Sequence, residues 1–184
     1  TNSYGNMVSS FFGAKFGKHI EELLISPLPN WVILGGYVTG ALTRGLMVGV
    51  VVMAVSLFFT RIEVQHPLIM LSVLILTAVV FALAGMVNAI FAQKFDDIAI
   101  IPTFVLAPLT YLGGVFYSIS LLPEFWQNVS VFNPILYMVN GFRLGMLGTS
   151  DVSLAMTYGV IISAGVLLFT WCMILLHRGT GLRS

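Results

Sequence analysis

Three short patterns in this chain carry residue types that do chemistry elsewhere. Gly13-Ala-Lys-Phe-Gly17-Lys18-His19 sets glycines beside a lysine, as phosphate-binding loops do. The glycines stand one residue too close, His19 takes the place of the hydroxyl that would reach a metal-bound nucleotide, and no strand leads in. His19-Ile-Glu-Glu-Leu23 comes near a zinc-hydrolase helix, but its glutamate is displaced and the second histidine position holds Leu23. His19, His66 and His177 are far apart in sequence and no glycine-flanked serine accompanies them, so a nucleophilic triad lacks its parts. Cys172, the single cysteine, lies in an apolar run and reads as a small packing residue. The expectation is a chain with no catalytic, metal-ligating or cofactor-binding residues.

The elements that would position these residues are membrane helices. Of 184 residues, 58% are hydrophobic and 8% charged, with a mean hydropathy of +1.00, against about 25% charged in a soluble domain. A net charge of +1 gives no basic field for nucleic acid. A span needs about 20 mainly apolar residues, and four segments qualify: 32–59, 67–92, 98–117 and 154–176. If they alternate across the bilayer, Lys15, Lys18, Lys94, Arg178 and Arg183 fall on one side, and Arg61 and Arg143 on the other. The positive-inside rule makes the first side, with the C-terminal tail, cytoplasmic. Thr1 to Phe12 is expected to be the end of a helix that begins ahead of Thr1 and descends from the outer side.

Between that helix and the first span lies the one amphipathic stretch. Read as a helix from Lys15 to Ser26, it lines Phe16, Ile20, Leu23 and Leu24 along one face and puts Lys15, Lys18, Glu21 and Glu22 on the rest. Pro27 ends it. Mixed charge favours a protein partner over anionic lipid, although an amphipathic helix can also lie on a bilayer.

Polar residues inside the spans are few. Arg44 stands about 15 residues, or about 22 Å of helix, from the end of its span, roughly 8 Å inside a 30 Å core. Its stem can reach the interface from there; a buried partner and a place on the transport path are the other readings. Gly36-x-x-x-Gly40 and Gly45-x-x-x-Gly49 on the same helix allow close packing, within the chain or across a dimer. Ala78, Ala82, Gly85 and Ala89 make a similar stripe, and Asn88 beside it reads as a helix-to-helix hydrogen bond or a transport-path residue. Asp96 and Asp97 are placed to cap the third span, in which Pro108 is expected to produce a kink.

The outer region, 118–153, reads differently. Leu121 to Trp126 is expected to form an interfacial helix and Asn133-Pro134 to start a second, capped by Asn133. From Pro134 to Leu147 is about 14 residues, too few to cross, so the pair is expected to enter the membrane and return. Arg143 belongs to it.

Three stretches taken together resemble the ABC-2 type transporter permease family: Ile20-Glu-Glu-Leu-Leu-Ile-Ser-Pro-Leu28, Phe104 to Tyr117 followed by Leu122-Pro123, and Asn133-Pro-Ile-Leu-Tyr137 with Arg143. The resemblance implies an all-α polytopic membrane helix bundle of the type-2 exporter kind, a permease of six helices whose first is missing here. It implies a bacterial inner-membrane location, a second permease copy in a homodimer, surrounding lipid, and two copies of a separate ATP-binding subunit that hold ATP and Mg. By the family's pattern Lys15, Lys18, Glu21, Glu22, Leu23, Leu24, Ile25, Ser26 and Pro27 form the coupling helix, with the glutamates facing basic residues of the ATPase. Asn133, Pro134, Tyr137 and Arg143, with Asn88 and Arg44, are the candidates for an outer gate or transport path. Export, of an amphiphilic, lipid-linked or drug-like molecule, follows from the resemblance and the apolar walls. A channel or structural subunit without an ATPase is the competing reading; the pore-lining polar periodicity or single-charge rings of a channel are not visible.

Overall fold

The computed structural model describes residues 1–25, 27–59, 64–115, 123–179 and 181, with the side chains of Glu21, Leu23 and Leu24 left aside. Every regular element among them is helical: α1 (Asn2–Phe16), α2 (His19–Ile25), α3 (Asn30–Phe59), α4 (Pro67–Phe91), α5 (Phe95–Ile101), a π-helical turn (Pro102–Leu106), α6 (Ala107–Leu112), α7 (Glu124–Val131), α8 (Pro134–Leu147) and α9 (Leu154–Arg178). Four helices are long and apolar enough to cross a membrane: α3, α4, the continuous Phe95–Leu112 segment, and α9.

Three of these follow the hydropathy reading to within two residues at either end. The third starts earlier than expected, at Phe95 instead of Ile98, because Asp97 caps from inside the helix. Its Oδ2 accepts from the amides of Gln93 and Lys94, both at 2.9 Å, the reach-back arm of a capping box. The described helix ends at Leu112, ahead of the expected Tyr117, where Gly114 turns left-handed at φ 73°. Within it, the prolines are absorbed by a widened register. The amide of Ala107 bonds the carbonyl of Pro102, five residues back, which is how a helix accommodates a missing donor and the ring of Pro108.

The chain divides into two compact units, Thr1–Val52 with Ala78–Ala99 and Gly165–Ser184, and Met53–Thr77 with Ile100–Ala164. In the first, α1 buries Ser3, Tyr4, Met7, Val8, Phe11 and Phe12, a face two residues wide that repeats every four. It meets α4 at Gly85, one of the small-residue stripe Ala78, Ala82, Gly85 and Ala89, all of which are buried. A methyl at Gly85 would stand 2.7 Å from the carbonyl oxygen of Tyr4, so the two backbones approach as closely as the stripe allows. Gly45 of α3 similarly faces the Ser3 hydroxyl, whereas Gly36, Gly40 and Gly49 have open space where a methyl would stand. The second glycine pair therefore has one member in an intrachain contact. Cys172 is fully buried, its thiol against the carbonyl of Leu83 at 3.5 Å.

In the second unit α8 is the buried element, covering Ile135, Leu136, Tyr137, Met138, Asn140, Gly141 and Gly145. It crosses the start of α4 at two glycines: a methyl at Gly141 would meet Val73 and Thr157, and one at Gly145 would meet the backbone of Met70 at 2.7 Å. The amides of Gln65 and His66 add bonds to the carbonyls of Met146 and Gly145, at 3.2 and 2.8 Å. Gly148, left-handed at φ 72°, closes α8. The Ser72 and Tyr158 hydroxyls bond one another between α4 and α9.

Candidate functional site

The amphipathic stretch is not one helix. α1 runs on through Lys15 and Phe16; the chain then breaks at Gly17 and Lys18, and α2 occupies His19–Ile25. Lys18 makes the break, with φ 60°, a left-handed conformation that costs an L-residue about 1–2 kcal/mol. Its amide bonds the carbonyl of Lys15 at 3.1 Å while that of Gly17 returns to Gly13 at 2.9 Å. Phe16 and Ile20 therefore do not share a face. Phe16 ends α1 in a ring cluster with Phe12 and Phe95, its centroid 5.2 Å from that of Phe95. Ile20 is 1% exposed, while Glu22 and Ile25 of the same short helix face outward, Ile25 at 85%. Lys18, His19 and Pro27 are exposed too. Ser26 and the side chains of Glu21, Leu23 and Leu24 lie outside the described residues.

Lys15 belongs to a different arrangement. Its ammonium donates to the carbonyls of Ile90 and Ala92, at 2.7 and 2.8 Å. These acceptors are the unsatisfied C-terminal carbonyls of α4, where a cation meets both lone pairs and the negative end of the helix dipole. Asn88, one turn earlier, is buried and donates from Nδ2 to the carbonyl of Ile98 in α5 at 3.2 Å. The Tyr4 hydroxyl lies beside it without reaching a hydrogen bond. Asn88 thus joins α4 to α5. Arg44 is exposed on α3 and meets no carboxylate among the described residues.

The second unit gathers Asn133, Pro134, Tyr137 and Arg143 on α8. Asn133 caps the helix, Oδ1 accepting from the amide of Ile135 at 3.0 Å, and its Nδ2 donates to the carbonyl of Leu109 in α6 at 2.6 Å. Pro134 fills the first helical position, where no donor is needed. The Tyr137 hydroxyl donates to the carbonyl of Val131 at 2.9 Å and so holds the end of α7. Arg143 reaches two ways, to the carbonyl of Gly114 at 2.7 Å and to the carboxylate of Asp151 at 3.2 Å. Asn140 completes the cluster by accepting from the Asp151 amide at 3.0 Å. Together these side chains tie α8 to the end of α6, to α7 and to the loop before α9.

Asn133→Ala removes both the cap and the bond to α6 and is expected to lower stability by about 2 kcal/mol. Asn133→Ser, which keeps a capping oxygen and loses the amide donor, is expected to recover about half of that. Unfolding midpoints in detergent measure both; equal losses in the two variants would show that the cap contributes nothing.

Asp151, Asn140 and the carbonyls that receive Lys15 and Arg143 were not foreseen. Asp151 had a signal, a carboxylate eight residues past Arg143 on the same side. The carbonyls had none, since every residue carries one. Arg61, Arg183 and 118–122, where the interfacial helix was expected to begin, lie outside the described residues.

The class these features define is an integral membrane helix bundle, with polar side chains spent on joining helices and, among the described residues, no cluster of three or more potential metal ligands. Residues 1–147 match the model of the ABC-2 type transporter family, and the chain belongs to that family. It is 55% identical to the inner membrane transport permease YadH of Escherichia coli (strain K12), over 100% of this chain and 72% of that protein. It is 26% identical over 168 residues to nodulation protein J of Rhizobium leguminosarum bv. viciae, 91% of this chain and 65% of that one. No solved structure matches it. Permeases of this family are the non-catalytic transport subunits; they dimerise and work with an ATP-binding cassette subunit.

Proposed function

We propose that the chain is the membrane permease of an exporter in the bacterial inner membrane, working as a homodimer with two copies of a separate ATP-binding subunit that hold ATP and Mg. The α2 segment, the turn before α5 and the C-terminal end of α9 face the cytoplasm, with the C-terminus. Support for this orientation comes from Lys15, Lys18, Lys94 and Arg178, which fall on that side if the spans alternate, while Arg143 falls on the other. The likeness to an inner membrane transport permease supports the location.

The observation that carries the reading is α2. It is a seven-residue helix set off from α1 by left-handed Lys18, holding Ile20 inward and presenting Glu22 and Ile25. Such a peg can lodge in a groove of an ATPase and move with it. On the outer side α7 and α8, of 8 and 14 residues, are too short to cross about 30 Å of hydrocarbon and form the re-entrant gate, held by Asn133, Tyr137 and Arg143. The cargo is an amphiphilic or lipid-linked molecule that leaves along apolar walls.

Reconstitution tests this. Permease co-expressed with its ATP-binding subunit should purify with it and, in vesicles, raise its rate of ATP hydrolysis when an amphiphilic cargo is supplied. A permease that retains no such subunit, and vesicles that pass small solutes without ATP, would establish the channel reading instead.

A further inference from the structure

We propose that Lys15 is the relay of the coupling element, a cation that fixes α1 to the end of α4 inside the permease and makes no contact with the ATP-binding subunit. This rests on the reading of α2 as the docking helix and assigns the connection that carries its movement inward.

Two features of the packing call for such a connection. Below the ring cluster of Phe12, Phe16 and Phe95, α1 meets α4 through apolar and small residues, Tyr4, Met7 and Val8 over Gly85. Apolar contact of this kind resists separation far more than it resists sliding, because it has no directional bond to lose. Directional bonds would fix the register of α1 on α4 more sharply than that packing does. The second feature is the turn at Gly17 and Lys18, which returns its amides to Gly13 and Lys15 and makes the last turn of α1 the segment through which movement of α2 passes.

Lys15 stands one turn ahead of that break and supplies the directional bonds. Its donors meet the Ile90 and Ala92 carbonyls at 2.7 and 2.8 Å, both short and charge-assisted. The segment after α9 converges on the same point: a methyl on Gly181, left-handed at φ 73°, would stand 2.8 Å from the Ile90 oxygen. Movement of α1 by a residue's rise, about 1.5 Å, pulls on both bonds at once and so favours carrying the end of α4 along. Lys18, exposed on the other side of the break, has no such engagement in the described hydrogen bonds and is free to face a partner.

Amine labelling of the wild-type permease in open membrane fragments, with and without the ATP-binding subunit, separates a relay from a docking residue. Lys15 is expected to react several-fold more slowly than exposed Lys94 in both samples, and Lys18 to react fast in the permease alone and slow when the subunit binds. A Lys15 that reacts as fast as Lys18 in the permease alone, and is shielded when the subunit binds, would overturn the proposal. In vesicles, Lys15→Met is expected to keep the ATP-binding subunit while transport and permease-stimulated hydrolysis per assembled complex fall about tenfold, and Lys15→Arg to restore most of both. Loss of the subunit from Lys15→Met, or transport equal to wild type, refutes the relay. If Lys15→Met fails to insert, the wild-type labelling still decides. If the wild-type permease binds no ATP-binding subunit, the docking reading of α2 fails, whatever the protection of Lys15 proves to be.

Discussion

Gly145→Val is expected to prevent stable folding of the second unit, with a loss of about 3 kcal/mol or more. A methyl at this position would lie 2.7 Å from the Cα, Cβ and amide nitrogen of Met70. Two of these atoms are backbone in the first turn of α4 and cannot swing aside as a side-chain tip would. Moving α8 away would stretch the bonds from Gln65 and His66 to the carbonyls of Met146 and Gly145, and shift Gly141 from Val73 and Thr157. Gly159 of α9 is the control. It has open space at the corresponding point, so Gly159→Ala should be neutral or stabilise by about 0.5–1 kcal/mol through backbone entropy. Thermal unfolding of the detergent-solubilised permease compares the two. A Gly145→Val protein as stable as wild type would mean that the α4 and α8 crossing is looser than the structure has it.

The paired reversal of Glu21 and Glu22 to lysine is expected to break the association with the ATP-binding subunit, by about 2–4 kcal/mol, the range for truncating a buried charge pair at an interface. Permease-stimulated hydrolysis should fall to the level of the ATPase alone. The expectation follows from the proposed docking of α2, on which Glu22 faces outward. Reversal of Lys94, exposed and off α2, provides a charge change of the same kind elsewhere in that unit and should leave association near wild type. The cost to the fold is expected to be small, about 0.3–1 kcal/mol per residue for the lost interaction with the positive end of the α2 dipole. Association and stimulation unchanged in the double reversal would remove α2 from the interface.

The two substitutions differ in how readable their targets were. Spans such as 67–92 and 154–176 stand out because a hydrocarbon core accepts only long apolar helices whose backbone bonds close internally. Asn133 before Pro134 announced a helix start for an equally local reason, as the cap and the first-turn proline act within one turn of chain. The stripe of Ala78, Ala82, Gly85 and Ala89 foretold a close packing face, and α1 meets it at Gly85. Gly145 was visible only as a glycine beside Arg143. Nothing near it in sequence says that Met70 lies across it.

The amphipathic stretch shows the opposite failure. Its helical periodicity continues through Gly17 and Lys18, so hydropathy alone gives one helix from Lys15 to Ser26. The break depends on a lysine in the left-handed region, where glycine is usual, and the adjacent Gly17 keeps an ordinary φ of −77°. With the break in place Lys15 changes partners. What looked like a surface charge beside Glu21 and Glu22 is bonded to α4.

From its sequence by itself this chain was determined to be a helical membrane protein with four long apolar helices, a capped helix starting at Pro134 and no catalytic apparatus in view, because burial in lipid, capping and motif spacing are rules of composition and short range. Only the tertiary structure decided where each polar group is satisfied: Lys15 on the carbonyls of Ile90 and Ala92, Arg143 on Gly114 and Asp151, Asn133 on Leu109. The physical reason is the same in all three cases. Most of these acceptors are backbone carbonyls, identical in every residue and left over at helix ends, so their partners are chosen by how distant segments pack.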